Sequence, residues 1–324
     1  MKTTLIRDFI AKNKLLWCVV IMFVFCCIYN QSFLSRINVS GLFVEISYMT
    51  FLAIGMTFVI LTGGIDLSVG AVAGLSTVIV AYTMKNAYLV NDSVTILLAV
   101  FLALLCCTAV GFLNGAMVTF FDLPPLIVTL SVTWIAAGVA NTLVKGTPLL
   151  LAVPAFRRIL MFRIMNWVPV LFILTILVLI LLSYIFAKLR FGREIYAVGS
   201  SKYAAFISGM KVKNVLLRAY TLSGLFAGLT GLLIAANLSS GYASAAVDYE
   251  LYTIAAVVMG GISLTGGEGK LINAFYGVIF LRLVKKIVVF TGLSKISGYM
   301  EGMIVGSILV LVLFFSFMKR EEAR

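Results

Sequence analysis

Runs of roughly 20 apolar residues, the length a helix needs to cross a bilayer core about 30 Å thick, recur along this chain. They fall at 15–33, 42–61, 69–86, 94–120, 126–144, 168–188, 215–238, 251–264, 272–291 and 300–318. In lipid, backbone groups must satisfy one another, which leaves helices or closed barrels. Most of these runs are too long for barrel strands. The expectation is an all-α polytopic membrane protein of about ten transmembrane helices, a single transmembrane domain over 1–324 with no room for a separate soluble domain. Only 11% of residues are charged, against about a quarter in soluble domains.

The net charge of +13 fits membrane flanks better than nucleic acid. With ten spans and a cytoplasmic N-terminus, fifteen Lys and Arg fall in inside segments and seven outside. That bias places both termini in the cytoplasm: an N-terminal segment at 1–14, a long loop at 189–214 and a tail at 319–324. The basic N-terminus lacks a small-x-small cleavage site after its apolar run, so the first span is read as uncleaved. Arg282, Lys285 and Lys286 lie within a span at i, i+3 and i+4; they share one helix face, which should look toward protein, water or an interface.

The five cysteines, Cys18, Cys26, Cys27, Cys106 and Cys107, sit in apolar runs without ligand spacing, and there is no histidine. Catalysis by His, a metal site and a disulfide framework are therefore not expected. An ATP site is not expected either. The nearest thing to a P-loop, Leu264-Thr265-Gly266-Gly267-Glu268-Gly269-Lys270-Leu271, lacks the first glycine and has Leu where Mg²⁺ binding needs Ser or Thr.

Between the second and third runs stands Leu61-Thr62-Gly63-Gly64-Ile65-Asp66-Leu67-Ser68-Val69-Gly70. Glycines loosen a helix, and a carboxylate at membrane depth needs a partner or water. Asp66 suits cation binding, proton relay, hydrogen bonding to a polar solute, or capping of the helix that starts near Ser68. A weak internal repeat appears at 260–267, where five of eight positions match 63–70 and Ser263 replaces Asp66. Paired glycine-interrupted segments point to a substrate path, although this span count puts both copies on one side. Glu250 opens the eighth run and also suits an N-terminal helix acid; Glu45 sits early in the second span; Asn114 lies between Gly111 and Gly115, where interhelical hydrogen bonding and pathway lining both fit. The candidates for a solute pathway are Asp66, Ser68, Asn114, Glu250 and Thr253.

Two loops carry further signals. The outer loop 145–167 holds Arg157, Arg158 and Arg163 against the charge rule, in an amphipathic stretch after Pro154. It suits a membrane-surface helix or a docking surface for an acidic partner. The inner loop 191–212 alternates glycines and alanines with Tyr196, Tyr203 and Phe206, which a plain connector would not need, and is read as a docking element.

Three blocks in order resemble the permease subunits of ribose-type ABC importers, within the branched-chain amino acid/ribose permease family. They are Gly55-Met56-Thr57-Phe58-Val59-Ile60 with 63–70; Gly192-Arg193-x-x-Tyr196-Ala197-Val198-Gly199 with Ala204-Ala205 and Ser208-Gly209; and Glu250-Leu251 through Gly260-Gly261 to Gly266-Gly267-x-Gly269. The resemblance covers roughly 42–318. It implies a type II ABC importer-like fold, in a bacterial inner membrane, as a homodimer or paired with a related second permease. It further implies a cytoplasmic ABC ATPase that binds the ATP and a periplasmic sugar-binding protein. The family's ATPase-coupling loop maps here to Gly192, Arg193, Tyr196, Gly199, Ala204, Ala205 and Gly209; a usual Gly-Gly-Asn is Gly199-Ser200-Ser201. Docking of the binding protein would then fall to Arg157, Arg158 and Arg163. The function expected is inward passage of a monosaccharide by alternating access. The rivals are a cation-coupled secondary transporter with Asp66 and Glu250 as ion sites and, third, a membrane-embedded enzyme.

Overall fold

The computed structural model describes residues 14–87, 91–293, 297 and 299–321. The expected N-terminal segment before Lys14, Lys295 and the last three residues of the tail lie outside them. Among the described residues a helix occupies each of the ten apolar runs: α1 (Lys14–Tyr29), α2 (Arg36–Leu61), α3 (Val69–Asn86), α4 (Asp92–Phe120), α5 (Pro125–Val144), α7 (Val170–Lys188), α10 (Val212–Leu238), α11 (Tyr249–Met259), α12 (Leu271–Phe290) and α13 (Met300–Glu321). Among the described residues three short α-helices lie in the loops, α6 (Pro154–Leu160), α8 (Arg190–Ser200) and α9 (Lys202–Ile207), with a 3-10 helix at Gln31–Leu34. Among the described residues five helices, α2, α4, α5, α7 and α10, are long and apolar enough to cross a membrane by length and composition alone. The α11 helix has only 11 residues, and the apolar sequence of the continuous α12 helix is broken by three cations.

Burial sorts these helices. The most apolar windows of α2 and α10 are 94% and 78% buried, those of α4, α5 and α7 only 22–28%. A helix apolar all round and buried all round is a core helix, while one apolar but exposed faces lipid. So α2, α3 and α10 form the centre, and α4, α5 and α7 present Leu, Ile and Phe outward. Small residues set the spacing at the centre. The α4 and α10 backbones meet at Gly111 and Gly224, where a Cβ on Gly111 would lie 2.9 Å from the Gly224 Cα, as small-residue interfaces in membranes allow.

Both copies of the glycine-rich echo contain a helix stop. Both α2 and α11 end on a left-handed glycine, Gly63 (φ 76°) and Gly261 (φ 79°). The amides close back identically: Gly63 onto Ile60 O and Gly64 onto Val59 O, Gly261 onto Val258 O and Ile262 onto Val257 O. This is the C-terminal stop that only glycine enters without strain. The stop glycine is the first of its pair in one copy and the second in the other, so the structural register is offset by one residue from the sequence match. Both stops lie at the α8 end of the bundle and touch, with Gly267 N donating to Leu61 O at 2.9 Å.

The segment that opposes 62–68 is another one. Residues 239–248 enter from the α6 end. Ser240–Gly241 (β4) pairs antiparallel with Leu149–Leu150 (β1), Leu149 opposite Gly241. The chain then descends along α3: Gly241 lies against Ala81, Tyr242 N bonds Thr77 Oγ1 at 2.9 Å, Ala243 O faces Gly74 and Ala246 O faces Gly70. From Ala81 to Gly70 is about 16 Å at 1.5 Å per residue. Irregular backbone at such depth needs protein around it, and α3 supplies it. Thus α3 and α11 both begin inside the bundle, after non-helical segments that enter from opposite ends.

Candidate functional site

Asp66 anchors the first break. It is 1% exposed. Its Oδ1 accepts from the Ser68 amide at 3.0 Å and the Ser68 hydroxyl at 2.6 Å, and its Oδ2 accepts from Ser223 Oγ of α10 at 2.8 Å. Asn114 of α4 donates Nδ2 to Ser68 Oγ at 2.9 Å, while its Oδ1 is buried without a hydrogen-bond partner. The segment is also held by Thr133, donating to Leu67 O at 3.0 Å, and Tyr220, donating to Ile65 O at 3.5 Å. Three of the five pathway candidates, Asp66, Ser68 and Asn114, therefore form one network with Ser223. Apart from the unpartnered Asn114 Oδ1, its side-chain hydrogen bonds run within the network, which leads into the α3 N-terminus. Sequence reasoning misses Ser223, because a serine among Ala and Gly in an apolar run is an ordinary small residue.

The other two candidates belong to α11. Glu250 is half-buried in its first turn, beside Gly70, where any side chain would meet the Glu250 carboxylate and Ala246 O. Thr253 is 1% exposed and donates to Tyr249 O, one turn back, at 2.5 Å. The two groups of candidates face each other across the Gly70 contact.

The inner-loop candidates divide by direction. Gly192, Tyr196, Gly199 and Ala205 look into the protein. Gly192 lies on the Phe186 backbone, and Gly199 lies so close to Leu61 O and Gly267 N that a Cβ there would collide with both. Tyr196 donates its hydroxyl to Gly269 O at 2.7 Å and stands edge-on to Phe186, which stacks on Phe58 of α2 at 5.0 Å. Burial pushes the Tyr196 phenol above its usual pKa, so the proton of that bond is retained. Arg193, Ala204 and Gly209 look outward. Beside Ala204, the exposed Tyr203 and Phe206 of α9 border a cleft of about 820 Å³ that Asp122, Pro124 and Met210 close on its other side.

At the opposite end, α6 is anchored by Phe156, 2% exposed, against a cluster that includes Val80, Met84 and Ala235. This leaves Arg157 and Arg158 exposed. Arg163 is exposed on a small hairpin, Arg163–Ile164 (β2) with Val168–Pro169 (β3). Arg36 holds that hairpin through Asn166 O at 2.8 Å. Among the described residues no group of three or more His, Cys, Asp or Glu is arranged for a metal.

Comparison with known proteins agrees with this architecture. The family model described as "Branched-chain amino acid transport system / permease component" matches residues 38–313. The ribose import permease protein RbsC of Bacillus subtilis (strain 168) is 34% identical over 276 residues, 85% of this chain and 84% of that protein. The autoinducer 2 import system permease protein LsrC of Photorhabdus luminescens is 32% identical, over 88% of this chain and 83% of its own. The D-allose transport system permease protein AlsC of Escherichia coli (strain K12) is 29% identical, over 90% and 86%. No solved structure gives a significant match. On the family match and these identities, the chain belongs to the family of multi-pass membrane permease components of sugar-type ABC importers.

Proposed function

We propose that this chain forms the translocation path for a monosaccharide of the ribose or galactofuranose kind, moved inward by alternating access. A cytoplasmic ABC ATPase binds and hydrolyses the ATP, and a periplasmic binding protein delivers the sugar. The second permease in the complex is another copy of this chain or a related one. The α8 end is cytoplasmic, with both termini, and the α6 end is periplasmic.

One observation carries the mechanism: the continuous packing from α8 to the break. Gly199 and Tyr196 touch the 265–269 segment, Gly267 bonds Leu61, and Leu61 leads through Gly63 into the Asp66 segment. A displacement of α8 by a docked ATPase has no slack to absorb it before it reaches the α3 N-terminus. There it changes the contact between Gly70 and Glu250, where the two inward-starting helices meet. The outward face of α9, with Ala204, Tyr203 and Phe206, then serves docking, and Gly199 serves transmission. Arg157, Arg158 and Arg163 supply positive charge for an acidic rim of the binding protein. Sugar relatives support the substrate class.

A cation-coupled carrier is not favoured, because both Asp66 oxygens are already engaged by hydroxyl and amide donors. Uptake of labelled D-ribose or D-allose in cells carrying the chain with its ATPase and binding protein tests the reading. It should stop on ATP depletion and survive an ionophore. The reverse pattern would contradict it.

A further inference from the structure

A second polar cluster lies apart from the Asp66 network. Arg282, Lys285 and Lys286 of α12 surround Glu45 of α2, and Lys285 also reaches Glu301 in the first turn of α13. Arg282 stands over the rings of Tyr249 and Tyr252 of α11, at 6.0 and 5.7 Å from their centroids. Four helices thus converge on three cations and two carboxylates within apolar segments, a placement that is costly in lipid.

The ion pairs that offset that cost are long ones. The separations are 3.5 Å for Arg282–Glu45, 3.5 Å for Lys286–Glu45, 4.0 Å for Lys285–Glu45 and 3.7 Å for Lys285–Glu301. The loop pair Arg190–Glu194 closes to 2.6 Å. Direct hydrogen bonds between nitrogen and oxygen lie near 2.7–3.2 Å; Lys286 donates to Glu45 Oε1 at 3.5 Å, and the wider gaps are those a hydroxyl or water can bridge. Arg282 is 2% exposed, yet its Nε and Nη1 have no hydrogen-bond partner. The outer members are open: the side chains of Lys285, Glu301 and Glu45 are 31%, 23% and 20% exposed. The cluster therefore joins a buried donor to partly exposed charged groups.

We infer that this cluster is a binding site for a polyhydroxylated solute on the translocation path. A sugar hydroxyl donates and accepts at once, so it can bridge Lys285 to the carboxylates of Glu45 and Glu301, which stand 4.0 and 3.7 Å away. Arg282 covers a face of each tyrosine ring, and Tyr48 stacks on Tyr249 at 6.0 Å, so the rings hold the guanidinium in place for the solute. A second copy of the chain is the poorer occupant: a two-fold interface centred on this patch would set one net-positive cluster against another. The inference rests on the sugar-permease reading above.

The test uses the complete complex, permease with ATPase and binding protein, in proteoliposomes. In a chain with all five cysteines changed to alanine, Lys285→Cys should react with a charged, water-borne methanethiosulfonate. Transported sugar, D-ribose or D-allose, should slow that reaction at least fivefold. Separately, Glu45→Gln and Tyr252→Leu should each lower the uptake rate at least tenfold while the complex still co-purifies. A Lys285→Cys permease that stays unmodified in the assembled complex, or a Glu45→Gln permease that transports at the unaltered rate, would overturn the site. Absence of ATP-dependent uptake by the unaltered complex would overturn the sugar-permease reading itself, and the labelling would still decide whether the cluster faces water.

Discussion

Ser223 donates its hydroxyl to Asp66 Oδ2 at 2.8 Å, joining residues 157 positions apart in a pocket where Asp66 is 1% exposed. This bond ties the break between α2 and α3 to the most central part of α10. It makes Asp66 a fixed organiser of the α3 N-terminus, since its two oxygens hold the Ser68 amide, the Ser68 hydroxyl and Ser223 together.

Removing the carboxylate strands three donors. Asp66→Ala should destabilise the purified permease by about 3 kcal/mol or more, because each buried donor left without a partner costs ~1–3 kcal/mol. Ser223→Ala should cost about 1 kcal/mol, and Asp66→Asn, which keeps one acceptor, should fall between them. Thermal unfolding in detergent reads the order. Equal melting temperatures for Asp66→Ala and the unaltered chain would show that the network does not hold the break.

Loss of the Tyr196 hydroxyl tests the contact between α8 and Gly269. Tyr196→Phe should cost about 1 kcal/mol near neutral pH, the net worth of one hydrogen bond. The phenol titrates higher in the fold than in the unfolded chain. Its contribution is therefore fully present below the unfolded value of about 10, and is lost as pH rises through the higher folded value. The difference in melting temperature between Tyr196→Phe and the unaltered chain should shrink above pH ~10. A difference that grows with pH would contradict this.

Much of this architecture can be read from the residues alone, and the failures have physical causes. Every apolar run carries a helix, since burial in lipid needs only length and hydropathy. The position of the Asp66 break is evident from glycines and one carboxylate in an apolar context. The opposing segment at 239–248 is not, because Ser239-Ser240-Gly241-Tyr242-Ala243-Ser244-Ala245-Ala246 reads as a small-residue turn. Only the rungs it makes along α3 reveal its depth. The repeat at 260–267 matches by letter one residue out of register with the two helix stops, which fall at Gly63 and Gly261. Partners 157 or 241 residues apart, such as Ser223 with Asp66 or Lys286 with Glu45, leave no local spacing to read.

Charge reversal at the α6 end separates docking from membrane anchoring. Arg157→Glu with Arg158→Glu should reduce stimulation of ATPase activity by the loaded binding protein roughly tenfold, about 1.4 kcal/mol. The remaining stimulation should depend less on salt. The buried Phe156 keeps α6 in place, so expression should be unaffected. Unchanged stimulation would show that these arginines face lipid headgroups.

The outward face of α9 should decide assembly. Ala204 is exposed beside Tyr203 and Phe206, so Ala204→Arg should prevent co-purification of the ATPase without disturbing insertion of the permease. Stoichiometric recovery of the complex would remove this face from the contact.

The coupling claim rests on Gly199, wedged between Leu61 and Gly267. The decisive measurement is ATP hydrolysis and sugar uptake recorded together in proteoliposomes for the unaltered complex and for Gly199→Ala and Gly199→Leu. Assembly through α9 should persist in both variants. Uptake per ATP hydrolysed should fall moderately with Ala and at least tenfold with Leu, as the side chain forces α8 away from the break. A Gly199→Leu complex that assembles and still transports the unaltered amount of sugar per ATP would contradict transmission through this contact.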